Sequence, residues 1–403
     1  MKRFCALIVV AGCSFHPSSA STDASGDGGA NAIGIDAADP GPCVTWDAIN
    51  VAPCDASLGT AAGISIGSGS FVLDTDSGQL LGGTATTLPG ALVAQTPGPE
   101  LRVVNASQFA IASGAMISVT GSHPLVIVVH ADATISGTLD VSAFVDEDGT
   151  STPGPGADDP MQCAGGSGAD GIASTGTGGG GGAGGGGFGD QGGDGGDGDG
   201  GGHGGHGGHG AANGSGSLQP LRGGCSGGNG GAALTAGTEA SSGGGGGALE
   251  ITALGTITID GSLFSAGAGG GTPEMINSGG AGGGAGGAIL LDGDVVQVNA
   301  GASLCANGGG GGEGGQIASA SAPGQPGTCS ETLDADGGMI NADGGDGGNG
   351  GGASHTAGTK GAGASGGAGG GGAGGSVGRI RARGRGTPAT LDPAATVSPA
   401  AAS

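Results

Sequence analysis

Long runs of glycine dominate this chain and restrict how it can fold. Glycine occupies 110 of the 403 positions, whereas an average protein contains about 7 % glycine. Glycine has no side chain to bury, and it loses more conformational entropy on ordering than any other residue. A conventional side-chain core therefore cannot hold the glycine-rich parts. Any order there must come from backbone hydrogen bonds, from disulfides, or from a neighbouring framework that has a core.

Many of the runs repeat every third residue, as in GGAGGGAGGA at 279–288. This period matches an extended left-handed helix with three residues per turn, in which glycine chains lie close enough to exchange backbone hydrogen bonds. The alternative is a flexible, disordered linker. The tracts resemble the PGRS regions of PE-PGRS surface proteins and the glycine-rich surface lipoproteins of soil and predatory bacteria. That resemblance implies a location at the cell surface.

Short segments with strand periodicity lie between the glycine runs. Residues 246–266 read GGALEITALGTITIDGSLFSA, and residues 286–307 read GGAILLDGDVVQVNAGASLCAN. Apolar and polar residues alternate and are interrupted by turn residues. Repetition of such segments predicts an all-β fold, a small parallel β-helix whose stacked coils share a narrow core. An antiparallel sandwich has the same alternation, but the recurring GGA opening favours the repeated coil.

These patterns together predict seven regions along the chain. They are a lipoprotein signal peptide at 1–12, a lipidated disordered tether at 13–56 with a small Cys43–Cys54 loop, solenoid coils at 57–145, a glycine-rich insertion at 146–245, coils with a short glycine-rich insertion at 246–305, a glycine-rich insertion at 306–375, and a terminal strand and tail at 376–403.

The amino terminus, MKRFCALIVVAGCS, has two cations followed by a short apolar run. This pattern is typical of a secretory signal. The residues before Cys13 resemble the bacterial lipobox, which implies that Cys13 is diacylated and begins the mature protein. Ser14 stands where aspartate would direct retention, so the resemblance implies the outer membrane, with the chain lipid-anchored and surface-exposed. An ordinary signal peptide that contains a cysteine is the alternative.

Export implies an oxidising environment, in which cysteines form disulfides. With Cys5 in the signal and Cys13 lipidated, six cysteines remain, and six allow 15 connectivities. Thiolate metal sites are the alternative, but the sequence contains no CxxC pair. Proximity in the sequence suggests the pairs Cys43–Cys54, Cys163–Cys225 and Cys305–Cys329.

The chain is strongly acidic, with 34 Asp and Glu against 9 Lys and Arg. Such a surface repels nucleic acid and favours divalent cations. We therefore expect no nucleic-acid partner. The expected partners are the membrane, through the lipid anchor, and an extracellular polysaccharide or a neighbouring cell surface.

The tract DQGGDGGDGDGGGHGGHGGHG at 190–210 is a candidate ion site. Short histidine-rich tracts are a known metal-binding composition, and Asp194 and Asp197 fit the start of a calcium-binding repeat. Asp199, however, stands where that repeat needs an apolar residue. A straight three-residue helix also spaces its histidines too widely to share one ion. The candidate ligands for zinc or calcium are His203, His206, His209, Asp194, Asp197 and Asp199.

Arginines alternate in RIRARGR near the carboxyl terminus, which puts Arg379, Arg381, Arg383 and Arg385 on one face if the segment is extended. The favoured interpretation is that they pair internally with carboxylates and cap the solenoid. The alternative is an anion-binding row that holds acidic polysaccharide or lipid phosphate.

These features together predict a non-enzymatic structural or adhesive lipoprotein of the cell surface, without a cofactor. A divalent-metal-binding module built on the 190–209 tract is one alternative. A polysaccharide-active enzyme on the β-helix is another, although such enzymes need basic residues that the coils here almost lack. Ice binding through glycine helices is a further one.

Overall fold

We describe the fold from a computed structural model. It describes residues 33–36, 43–146, 149–233, 239–273, 277–316, 320–340, 343–352 and 354–403. The predicted signal peptide and the predicted lipidation site at Cys13 lie outside these residues. No helix among the described residues is long and apolar enough to cross a membrane.

Short strands make up the first part of the described chain, together with one 3-10 helix at Ala56–Leu58 and one α-helical turn, α1, at Pro160–Cys163. The strands are β1 (Ile33–Asp36), β2 (Ala62–Ile66), β3 (Gly69–Asp74), β4 (Gln79–Leu81), β5 (Thr86–Thr87), β6 (Gly90–Val93), β7 (Leu101–Ile111), β8 (Ala115–Thr120), β9 (Leu125–Val129), β10 (Ala133–Ile135), β11 (Thr138–Asp140), β12 (Phe144–Val145) and β13 (Ser151–Thr152).

The remaining strands alternate with glycine-rich tracts. They are β14 (Ala248–Ala253), β15 (Thr256–Ile259), β16 (Ser262–Phe264), β17 (Ala288–Gly293), β18 (Val295–Val298), β19 (Ser303–Cys305), β20 (Arg379–Gly384), β21 (Thr390–Leu391) and β22 (Thr396–Ser398).

The protein is nearly all β, but the predicted parallel β-helix is wrong. Its strands form a curled parallel sheet shaped like half a barrel, extended by antiparallel strands, and further mixed sheets. The larger sheet has the order β20-β17-β14-β9-β7-β10-β15-β18-β21, with β2 and β6 also paired to β7 and β1 paired to β2. The second has the order β22-β19-β16-β11-β8-β3-β4-β5, and β12 pairs with β13 alone.

Local turn chemistry explains much of this difference. Solenoid coils were predicted at 57–145, yet within this range β3 pairs antiparallel with β4 across a tight turn, and β4 with β5 and β6 with β7 also pair antiparallel. In the β3–β4 turn the Asp74 carboxylate accepts from the backbone N–H of Asp76 at 2.8 Å, and Gly78 takes a φ of 74°. Glycine adopts that left-handed conformation without steric cost. Alternation of apolar residues is the same in parallel and antiparallel strands, so it did not distinguish the two.

The larger sheet has apolar residues on both of its faces. Its inner face packs against the second sheet through residues such as Ile127, Ile251 and Ile289, all at most 1 % exposed. Its outer face packs through Val126 and Leu290 against residues from later and earlier loops. The covering residues of the outer face are Val51, Leu58, Phe188, Leu218 and Leu221, with Trp46, Ala48 and Ile49 at the margin.

The glycine-rich tracts are ordered by backbone hydrogen bonds that rotate with a three-residue period. Gly180, Ala183 and Gly186 donate to the segment at 277–283. The residue after each of these donates to the segment at 166–172, and the residue after that donates to the segment at 190–196. Segments 204–210, 228–231 and 370–376 in turn donate to carbonyls of 179–186. This three-faced pattern is that of an extended helix with three residues per turn.

Segments 279–286 and 369–376 are surrounded in the same way. The first exchanges hydrogen bonds with neighbours that include 228–231, 268–271, 309–312 and 370–376. The second does so with 309–315, 345–351, 359–362 and 180–186, among others. We call this set of hydrogen-bonded tracts the glycine bundle. Three tracts of the bundle run without a break into strands β14, β17 and β20, so the sheet and the bundle are continuous.

Close backbone approach explains why these positions are glycine. A Cβ added at Gly179, Gly182 or Gly185 would lie 1.9 Å from a carbonyl oxygen of the segment at 368–374. The lattice replaces side-chain packing with main-chain contacts, which only residues without Cβ allow at these positions.

Three disulfides join Cys43 to Cys54, Cys163 to Cys225 and Cys305 to Cys329, the pairs that proximity in the sequence suggests. The second disulfide closes the tracts between 163 and 225. Part of the predicted tether is a strand, since Ile33–Asp36 pairs antiparallel with β2.

Candidate functional site

The Asp/His tract folds back on itself as two adjacent antiparallel segments of the glycine bundle. Backbone hydrogen bonds join Gly195 to Gly207 and Gly198 to Gly204. This pairing places Asp194 opposite His209 and Asp197 opposite His206. In each pair the histidine Nδ1 lies 2.7 Å from the aspartate Oδ1, and the backbone N–H of the histidine donates to the same oxygen.

Both aspartates have a lowered pKa. For Asp197 the main cause is the hydrogen bond from the His206 side chain, followed by the one from its backbone N–H. For Asp194 partial burial acts to raise the pKa, but the hydrogen bonds and charge of His209 outweigh it. The carboxylates therefore serve as clamps between neighbouring glycine segments.

The other two candidate ligands have partners of their own. His203 Nδ1 lies 3.0 Å from the carbonyl oxygen of Gly200, and Asp199 accepts from the backbone N–H of Gly367 at 2.9 Å. Across the described ranges, no group of three or more His, Cys, Asp or Glu side chains is arranged to hold a metal ion. The structure thus pairs four of the six predicted ligands as Asp–His clamps and gives the other two backbone partners, and the zinc or calcium interpretation gains no support from their geometry.

The four arginines lie on or beside β20, at the edge of the larger sheet. Arg379 donates to the carbonyl oxygen of Gly189 at 3.1 Å and Arg381 to that of Ser217 at 3.0 Å. Arg385, just beyond the strand, donates to the carbonyl oxygens of Asp292 and Ala253. Arg383 forms ion pairs with two carboxylates, Asp47 and Asp292. Each of the four arginines therefore has a partner inside the protein, and anion binding stays a prediction.

A polar row crosses the outer face of the sheet where apolar residues would be expected. In the strand register Thr252, Asp292 and Arg383 lie side by side on β14, β17 and β20. Asp292 is fully buried, and its Oδ1 forms ion pairs with Arg383 at 3.3 Å and Arg385 at 3.1 Å. Burial raises the pKa of Asp292, and the two arginines act against that rise.

Glu250 lies in the next outward position of β14 and is also fully buried. Its Oε2 accepts from Asn50 Nδ2 at 2.9 Å, while its Oε1 has no hydrogen-bond partner among the described residues. Burial raises the pKa of Glu250 to about 7, and the neighbouring Asp292 contributes to that rise. A carboxyl group in such surroundings retains its proton up to near-neutral pH.

The loop closed by the first disulfide covers this row, and we call residues 43–58 the stapled loop. Its Trp46 donates through Nε1 to Thr252 Oγ1 at 2.9 Å, and the Arg385 guanidinium lies 5.8 Å from the centre of the Trp46 ring. Asp47 forms an ion pair with Arg383 at 3.1 Å. The arginine row, the buried carboxyls and the stapled loop thus form one polar interface.

Glu250, Asp292 and Asn50 were not among the residues that the sequence singled out. A signal for the two carboxyls was present, because LEIT and LLDG each place an acidic residue inside an otherwise apolar strand next to a GGA opening. An ionisable residue inside a buried strand needs a partner, and the arginines of β20 were the available cations.

Neither a family model, nor a curated protein, nor a solved structure matches this chain. The function must therefore be argued from its own residues. The alternative of a polysaccharide-active enzyme built on a β-helix is not supported, because the observed fold is not a β-helix.

Proposed function

We propose that this protein is a non-enzymatic structural or adhesive protein of a bacterial cell surface, anchored through lipid at Cys13. The observation that carries this proposal is the glycine bundle, whose central segments exchange backbone hydrogen bonds with neighbours on every face. Such a lattice is rigid without a large apolar core. It suits a module that must keep its shape while exposed to solvent.

The surface chemistry of the bundle supports the same proposal. Asp194 and Asp197 are held at a three-residue interval along an outer segment, each fixed by a histidine of the adjacent segment. Regularly spaced carboxylates on a rigid backbone present an acidic, hydrogen-bonding face. The excess of Asp and Glu over Lys and Arg, 34 to 9, extends this character to the whole chain.

The anchor and the adhesive role can be tested with the full chain in a Gram-negative host. We expect the protein in the outer-membrane fraction and accessible to protease on intact cells, with Cys13→Ser moving it to the soluble fraction. We also expect displaying cells to aggregate or to attach to a polysaccharide matrix more than cells that produce the Cys13→Ser variant.

A third variant separates attachment by this face from display alone. Asp194→Asn with Asp197→Asn keeps two hydrogen-bond acceptors and removes two surface charges, so we expect normal display with reduced attachment. Equal aggregation by displaying and Cys13→Ser cells would contradict the adhesive role. Unchanged fractionation of Cys13→Ser would contradict the lipid anchor.

A further inference from the structure

The disulfide of the stapled loop borders a cavity of about 280 Å³. Cys43, Cys54, Asp55, Asn105 and His130 are among the residues that line it. Cys43 is exposed and Cys54 is partly exposed, so solvent reaches this disulfide. The cavity lies close to the lower end of the size range of small-molecule sites, which begins at about 300 Å³.

Hydrogen bonds determine which nitrogen of His130 faces the disulfide. Asn105 donates through Nδ2 to the carbonyl oxygen of Gly59 at 2.9 Å and, more weakly, to that of Leu58 at 3.4 Å. This leaves Asn105 Oδ1 to accept from His130 Nε2 at 2.8 Å. In the neutral imidazole the other nitrogen, Nδ1, is then without a proton.

That unprotonated Nδ1 lies 3.8 Å from Cys43 Sγ. Burial lowers the pKa of His130, which keeps the ring neutral and its lone pair available near neutral pH. The ring is further fixed by an edge contact with Trp46, with ring centres 5.5 Å apart. A proton taken up by Nδ1 would therefore lie beside Cys43 Sγ, where it can stabilise a thiolate that leaves from Cys43.

The other two disulfides have different surroundings. Cys163 and Cys225 are buried, and Cys225 Sγ contacts the side-chain amide of Asn213 at 3.4 Å, which is not a base. In the third disulfide Cys305 is only 2 % exposed but Cys329 is exposed, and neither sulfur atom has a histidine as a hydrogen-bond partner among the described residues. Accessible disulfides whose leaving thiol is stabilised exchange faster than buried ones.

We propose that Cys43–Cys54 is a thiol–disulfide exchange site that accepts a small external thiol. The sulfur of the thiol attacks Cys54 Sγ, forms a new S–S bond to it, and breaks the bond between Cys54 and Cys43. The proton lost by the attacking thiol passes through solvent to His130 Nδ1, which delivers it to the leaving Cys43 sulfur and returns to its neutral form. The products are a mixed disulfide at Cys54 and a free thiol at Cys43, so no other oxidant or reductant is needed.

Exchange at this site would release the staple that holds the loop over the sheet. The stapled loop supplies Trp46, Asp47 and Asn50 to the polar interface with Thr252, Arg383 and Glu250. The site would thus couple covalent capture of a thiol to exposure of that interface. This inference does not depend on the proposed adhesive role.

The test uses the oxidised full chain and cysteamine as the thiol, because its ammonium group suits the acidic surface. Samples quenched at successive times are alkylated and mapped by peptide mass spectrometry. We expect the cysteamine adduct on Cys54 and the free thiol on Cys43 to appear first, while Cys163–Cys225 and Cys305–Cys329 remain intact.

Replacing the imidazole separates a chemical role from a packing role. His130→Gln keeps a donor for Asn105 but removes the proton-transfer group, so we expect exchange to slow about a hundredfold, the lower end of the range for positioned proton transfer. A purely structural role predicts the reverse, because a looser loop exchanges faster. His123→Gln, which alters a histidine paired with Asp76, is the matched control and should leave the rate unchanged.

Three results would overturn the proposal. They are an adduct located on Cys43 in place of Cys54, exchange in His130→Gln at or above the wild-type rate, and reduction of either of the other disulfides before Cys43–Cys54.

Discussion

At the scale of single residues, the environment of Glu250 is unusual for a carboxyl group. It is a fully buried carboxyl on a central strand, with one oxygen bound by Asn50 and the other without a hydrogen-bond partner among the described residues. Its neighbour Asp292 takes the nearby arginines as ion-pair partners, so Glu250 is stabilised chiefly in its protonated form. Its titration should therefore be visible in the stability of the whole chain.

The pKa of Glu250 rises from 4.5 in the unfolded chain to about 7 in the folded protein. Between these values the folded state holds a proton that the unfolded state has released. The contribution to stability is thus complete below pH 4.5 and is lost as the pH rises through about 7, a change on the order of 3 kcal/mol. In Glu250→Gln this pH dependence should be absent.

The measurement is the free energy of unfolding by denaturant titration from pH 4 to 8. The difference between wild type and Glu250→Gln isolates this group, because carboxyls with a lowered pKa, such as Asp197, contribute equally to both proteins. Glu100→Gln, at an exposed position, is the control. A wild-type-minus-variant difference that does not change with pH would contradict the assignment.

At the scale of structural elements, the glycine positions of the bundle differ in whether they have room for a side chain. A Cβ at Gly282 would lie 1.9 Å from the carbonyl oxygen of Gly184, in a segment enclosed by others. A Cβ at Gly208 would meet nothing within 4 Å, and that residue is exposed. The two positions look alike in the sequence, since each lies in a glycine run.

We expect Gly282→Ala to destabilise the protein by about 3 kcal/mol or more, because overpacking forces backbone segments apart. Gly208→Ala should be neutral or should stabilise by up to about 1 kcal/mol, since alanine reduces the entropy of the unfolded chain. Thermal unfolding of the two variants beside wild type measures both effects. Equal melting temperatures for the two variants would show that the segments are not packed as a lattice.

At the scale of the whole molecule, two kinds of order are joined end to end. The sheets have an apolar core, with residues such as Leu125 and Ile135 fully buried. The glycine bundle has few side chains, and its buried alanines Ala183, Ala281 and Ala373 lie between main-chain contacts. Tracts of the bundle continue into β14, β17 and β20, so loss of the bundle should also disturb the sheet.

Amide hydrogen exchange should reveal this continuity. We expect the amides of 180–186 and 279–286 to exchange as slowly as those of β9, because each is hydrogen-bonded within an enclosed segment. The stapled loop should exchange faster, as few of its amides bond to the backbone. Exchange of the glycine segments within seconds, as in an unfolded polypeptide, would contradict a shared cooperative structure.

The sequence by itself determined the all-β class and the inability of the glycine tracts to form a side-chain core, and it suggested the disulfide pairs that the structure contains. These follow from local composition, alternation and spacing. The tertiary structure decided how the strands connect, because alternation does not distinguish parallel from antiparallel neighbours and the turn near Asp74 reverses the chain. It also decided which partners the candidate site residues have in the folded protein.

The Asp/His tract shows the limit most clearly. Its composition predicts ligands, but the pairing of Asp194 with His209 and Asp197 with His206 arises only when the two segments lie antiparallel in the bundle. The same holds for Glu250, whose pKa depends on burial beneath a loop that lies 200 residues earlier in the chain. Composition sets which groups are available, and only contacts between distant segments set what each group does.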